Sequence, residues 1–126
     1  MTGEPTEREF TAEEANALVP ELTRILPVIR EARQVVFRAG EQVKRGAVRN
    51  GGGAPGKEYW EALATLRRAL GRLNEQGVIL RDPETGLVDF PSSREGHPAF
   101  LCWRLGEPEV AHWHGGHSGF AGRHPL

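Results

Sequence analysis

A single cysteine among 126 residues excludes an internal disulfide, which makes a reducing compartment the simpler expectation. Charge of one sign is lacking as well: 16 Lys and Arg stand against 17 Asp and Glu, a formal net charge of −1. A nucleic-acid or membrane-surface partner wants a basic excess, so neither is expected. No stretch approaches the roughly 20 apolar residues of a membrane span. The polar opening Met1-Thr2-Gly3-Glu4-Pro5 has no signal-peptide core, and a cytoplasmic protein is expected. The glycine run after Asn50 has no Gly-Lys-Ser/Thr behind it and no strand before it, which excludes a phosphate loop. No organic cofactor is expected. The length suits one domain, 1–126, burying roughly two-thirds of its unfolded surface.

What is present begins with two helical patterns. Residues 1–9 have no apolar anchor and read as a disordered N-terminus. Thr11 is an N-cap with Glu14 three residues on, a capping box, and Glu13 adds favourable charge at the helix start. Leu18, Leu22, Ile25, Ile29, Ala32 and Val36 then recur at alternating spacings of four and three, the seam of a helix over 10–45. Pro20 fits as the first residue of a restarted helix, where its missing amide is harmless, and Pro27 as a bend. The Gly/Pro-rich 46–57 reads as a flexible linker. Tyr59, Leu63, Leu66, Leu70 and Leu73 repeat the spacing, with Trp60 and Ala64 widening the face, so a second helix covers 58–76. Gly77 suits the left-handed position that ends it. The pair forms an antiparallel hairpin with one open side.

The remainder reads as strands. Residues 78–80 and 87–90 flank a turn in which Pro83 sets φ and Gly86 supplies a positive φ. Residues 91–98, bounded by prolines, read as a polar loop. Residues 100–105 and 110–114 flank Gly106-Glu107-Pro108-Glu109. A turn that pairs Leu105 with Val110 sets Trp103 opposite His112, Cys102 opposite Trp113 and Leu101 opposite His114. His112 and His114 then share a face with Leu101 and Trp103, while Cys102, Arg104, Ala111 and Trp113 take the other. A slip of one residue exchanges the faces. The expected fold is α+β: the helical hairpin packed with a small antiparallel β-meander of about four strands over 78–114. An ordered Gly-rich C-terminal tail follows over 115–126.

Phe10-Thr11-x-Glu13-Glu14-Ala15-Asn16-x-Leu18-x-Pro20, Gly86-Leu87-Val88-Asp89-Phe90-Pro91, Cys102-Trp103-Arg104-Leu105-Gly106-Glu107, Trp113-His114 and Gly119-Phe120-Ala121-Gly122-Arg123-x-Pro125-Leu126 stand in that order across nearly the whole chain. Together they resemble the uncharacterised bacterial family known as domain of unknown function 2203. The resemblance implies a small prokaryotic protein and carries over no activity. Its polar pattern falls here on Glu14, Asn16, Asp89, Cys102, Arg104, Glu107, His114 and Arg123, with His112, His117 and His124 outside it.

The chemistry-bearing residues crowd into the last quarter of the chain. His112 and His114 project from one strand face about 7 Å apart, close enough to turn onto one ion. His117 follows three residues later, and Glu107 or Asp89 can add an oxygen. That set points to zinc or another first-row divalent metal. Neither a CxxC pair nor an HExxH helix accompanies it. Cys102, in mid-strand, reads as a small buried apolar residue rather than a nucleophile. Arg104 and Arg123 can bind an anion or form structural pairs, Arg104 with Glu107 or Asp89 and Arg123 with Glu14. The leading expectation is a divalent-metal site on the C-terminal strands. The alternative is a non-catalytic homodimeric assembly module joined through the hairpin seam, which a charge at Leu22 or Leu66 would break. A small metal-dependent hydrolase using Asp89, Glu107 and His114 is third.

Overall fold

The Thr11 hydroxyl accepts the Glu14 amide at 3.0 Å, and Glu14 Oε1 accepts the Thr11 amide at 2.9 Å. Helix α1, Ala12–Ala17, therefore starts at the expected capping box. The computed structural model of the chain describes residues 8–50 and 55–126, with the backbone alone at 47–50. After Leu18 the chain restarts as α2, Val19–Asn50, with Pro20 in its first turn and Pro27 inside it. An amide missing from a first turn has no intrahelical partner to lose. The helix runs past the expected end near 45, because one interior glycine, Gly46, costs only about 1 kcal/mol. Helix α3 is Lys57–Gln76, and Gly77 closes it at φ 81. The Gly77 amide donates to Asn74 O and the Val78 amide to Leu73 O. Of the expected linker, residues 51–54 lie outside the described residues.

The helices run antiparallel: Arg72 and Gln76, late in α3, both donate to Glu21 at the start of α2. Those bonds, Arg72's first, hold the Glu21 carboxyl below its ordinary value. Leu22, Leu26, Ile29 and Ala32 of α2 are buried with Ala69 and Leu73 of α3. The expected stripe is corrected in detail. Leu26 joins it, whereas Trp60, Ala64 and Leu70 are exposed, because α3 turns its 62–66–69–73 side inward. No helix among the described residues is long and apolar enough to cross a membrane.

Five antiparallel strands follow in sequential order: β1 Ile79–Asp82, β2 Leu87–Arg94, β3 His97–Arg104, β4 His112–Gly115 and β5 His124–Pro125. A 3-10 turn, Phe120–Gly122, precedes β5, which adds one strand to the expected meander. Of the expected disordered N-terminus, residues 1–7 lie outside the described residues, but Arg8 and Glu9 are held. Arg8 donates to Gln76 O, Ser93 donates to Glu9, and the Phe10 amide donates to Pro91 O at 2.7 Å.

The polar loop expected at 91–98 is instead a hairpin, with β2 and β3 joined across Glu95 and Gly96, both at positive φ as a type I′ turn requires. Pro91 is tolerated because its carbonyl points to Phe10, away from β3. A strand residue's N and O share a side, so no amide is missing from the β2–β3 ladder.

The expected β3–β4 register is corrected by one residue: Cys102 lies opposite His112, Leu101 opposite Trp113 and Phe100 opposite His114. Leu105 and Val110 do not pair. Asn16 clamps the Val110 peptide instead, its Oδ1 accepting the amide at 2.6 Å and its Nδ2 donating to the carbonyl at 3.2 Å. Trp113 thereby joins Leu101, Trp103, Val88 and Phe90 against the helices. Packing that partly buried indole on the core, worth at most roughly 2–3 kcal/mol for a large apolar side chain, favours this register.

Candidate metal centre

The slip moves both histidines of β4 onto the sheet face that looks away from the helices. Asp89 of β2 is directly opposite Cys102 of β3, Cys102 is opposite His112, and His114 stands one diagonal away. Asp89, Cys102 and His114 are 2%, 1% and 3% exposed, so each has been taken out of water. One donor atom from each lies within 4.8 Å of the other two.

His114 Nδ1 meets the Gly115 carbonyl at 2.8 Å, and its Nε2 meets Asp89 Oδ2 at 2.9 Å. A carbonyl can only accept, so Nδ1 carries a hydrogen. Arg81 Nε donates to the same Oδ2 at 2.8 Å. Asp89 Oδ1 is buried and accepts no N–H or O–H bond, and the Cys102 thiol is the remaining donor to the carboxylate. A buried carboxylate oxygen with no stronger donor than a thiol is costly unless something better fills its place. Burial, and next the charge of Asp89, pushes the Cys102 thiol up to about 12, so the metal-free protein holds it as a thiol and not as a nucleophile.

Carboxylate oxygen, thiolate sulfur and imidazole nitrogen are all zinc donors, at bond lengths of roughly 2.0–2.3 Å. Tetrahedral geometry at those lengths sets donors about 3.5 Å apart, so small side-chain shifts close the trio on an ion. The Nδ1 bond to a main-chain carbonyl fixes the tautomer that leaves Nε2 free to ligate. A cleft of about 390 Å³ adjoins the trio, lined by Arg81, Leu87, Asp89, His114, Gly116, His117, Ser118, Gly119 and Phe120.

The other expected site residues fall into two groups. His117 lines that cleft beside Asp89 and His114. Glu107 and His112 are engaged elsewhere: Arg123 Nη2 pairs with Glu107 Oε2 and also donates to His112 Nδ1 at 2.6 Å. Glu107 Oε1 accepts the Arg104 amide, and its main-chain carbonyl accepts Trp103 Nε1. The structural pairing expected of Arg123 with Glu14 is corrected, because Glu14 is engaged in the capping box and Glu107 is Arg123's partner. Arg104 makes no side-chain pair with Asp89 or Glu107, and its guanidinium stacks on Phe120, with Arg123 on the same ring. Asp89 pairs with Arg81, which sequence reasoning did not single out. Cys102, expected as a small buried apolar residue in mid-strand, is buried, but on the same face as His112 and His114 rather than the other one. The signal that could have retrieved it is Trp113, whose indole belongs on the core face.

No curated protein and no solved structure matches the chain. Residues 8–126 match the family described as Uncharacterized conserved protein (DUF2203), and to that family the chain belongs.

Proposed function

We propose that this protein holds one divalent first-row metal ion, zinc by its donor chemistry, through Asp89, Cys102 and His114. The observation that carries the reading is the buried trio itself, three donors of complementary type within 4.8 Å of one another, one of them a carboxylate with an oxygen that accepts no N–H or O–H bond. Two members, Asp89 and His114, belong to the set expected from sequence. Cys102 takes the place of Glu107 and His112, which Arg123 engages. His117 or a water completes the coordination from the cleft. A cytoplasmic setting, where a free thiol persists, accords with the reading.

Elemental analysis of untagged protein tests it. About one zinc per chain is expected after equilibration with the ion and desalting, lowered in Cys102→Ser and His114→Ala and unchanged in His112→Ala. Protein that stays metal-free in excess zinc sinks the reading.

A second reading, a homodimer through the hairpin, is favoured by a separate observation. Phe37 is 69% exposed and Trp60 56%, both in the half of the hairpin nearer its connecting segment. A large apolar side chain left in water is stabilised when a second surface covers it. Leu22 is fully buried in the chain's own core, so a charge there would unfold the protein rather than test an interface. The pair Phe37→Glu and Trp60→Glu is the informative change. Light scattering should show a dimer that this variant converts to monomer with its zinc content intact. A wild-type monomer at high concentration removes the reading.

A further inference from the structure

The cleft beside the trio has a composition that the three donors alone do not explain. Its lining holds one carboxylate, Asp89, and one guanidinium, Arg81. Only Nε of Arg81 is engaged, on Asp89 Oδ2, and among the described residues its two terminal nitrogens make no hydrogen bond. The side chain is 44% exposed, and its guanidinium carbon lies over the Phe100 ring, 5.1 Å from the ring centre. Leu87 and Phe120 add apolar surface to the lining. Phe120 is itself held in place between Arg104 and Arg123, at 4.6 and 4.3 Å from its ring centre.

Charge accounting then selects the ligand. A divalent ion cancels the Asp89 carboxylate and the Cys102 thiolate, leaving the charge of Arg81 uncompensated in the cleft. Three protein donors leave a fourth position on a tetrahedral ion, and the cleft lies on the Asp89–His114 side of it. One fork, one surplus positive charge and this apolar surface fit a monoanion with two coplanar oxygens and a small hydrocarbon body. We propose that this cleft binds a small organic carboxylate, one edge on the Arg81 fork and one oxygen on the metal ion. The inference rests on the metal reading above and extends it to a ligand class. About 390 Å³ is at the lower end of small-ligand sites, so the body is short. Phosphate is disfavoured because its second charge finds no second cation in the lining.

Cobalt-substituted protein tests this, because its visible bands report both occupancy and the fourth ligand. Cobalt uptake by the wild-type protein, followed by a saturable change in those bands on adding propionate, with an affinity on the order of millimolar, is expected. Arg81→Gln should take up cobalt with unchanged stoichiometry and weaken propionate at least tenfold. Arg81→Lys, which keeps charge but not the fork, should fall between. Cobalt uptake with no response to propionate overturns the ligand assignment and leaves the metal reading standing. A response to inorganic phosphate without one to propionate overturns the carboxylate class. A response seen only in His117→Ala shows that His117 fills the fourth position, and overturns the proposal for the intact protein. Failure to take up cobalt overturns both readings together.

Discussion

Asn16→Ala is expected to lower the unfolding free energy by about 2–4 kcal/mol, although Asn16 touches neither the Asp89, Cys102 and His114 trio nor the cleft. Its side-chain amide is the partner of both polar groups of the Val110 peptide, and it also donates to Ala12 O at 3.1 Å. Val110 is 2% exposed, so water has little room to replace the lost bonds. Each main-chain group left unsatisfied costs roughly 1–3 kcal/mol. Asn16→Asp retains an acceptor for the amide but sets a carboxylate against the carbonyl, so it should resemble alanine more than the wild type. Urea unfolding of the three proteins measures the difference. A loss under about 0.5 kcal/mol for Asn16→Ala would show that Val110 is held by its side-chain packing alone. The same variant should bind zinc more weakly, since the clamp fixes where β4 enters the sheet and hence which face His114 takes.

That clamp also shows where reading from sequence stops. Several signals in which the decisive partner is a near neighbour were legible, although the local turn at Glu95-Gly96 was not. Thr11 reaches Glu14 within one turn, Pro20 acts on its own helix, and Gly77 and Gly86 supply positive φ at turns. The helical hairpin was legible from its spacing. Two other failures depended on contacts distant in the chain. Pro91 looks like a strand breaker until Phe10 claims its carbonyl, and the β3–β4 turn looks tight until Asn16 claims Val110. In both cases a local rule gave way to a hydrogen bond across more than 80 residues.

The site was half legible for the same reason. Residue types told which side chains can ligate, and Asp89 and His114 do converge. Strand register decides which of them meet, and register is the quantity that one residue of error inverts. The expected ladder placed Cys102 across the sheet from His114. The observed one sets it beside His114 and directly opposite Asp89. Arg81 escaped notice because nothing in its sequence neighbourhood distinguishes it. Its role comes from the bulge between Leu80 and Asp82, which offsets β1 against β2 where Arg81 turns to Asp89.

Zinc affinity is expected to rise at least tenfold for each pH unit between about pH 6 and 8. The ion requires a thiolate, and the Cys102 thiol is pushed up to about 12 by burial and by the charge of Asp89. Throughout that range the thiol proton is fully bound, so every binding event must release it. That alone sets a slope of one proton. Stability of the metal-free protein runs the opposite way. The unfolded thiol ionises near its ordinary 9.0 while the folded one keeps its proton, so the contribution is whole below 9.0 and lost as pH climbs toward 12. The rise in melting temperature caused by zinc should therefore grow with pH. Chelator competition at three pH values, run in parallel on Cys102→Ala, separates the parts. The variant should bind more weakly and lose one proton from its slope. An affinity for zinc that does not change with pH would remove Cys102 from the ligand set, since no thiol with so high a pKa can bind the ion without surrendering its proton.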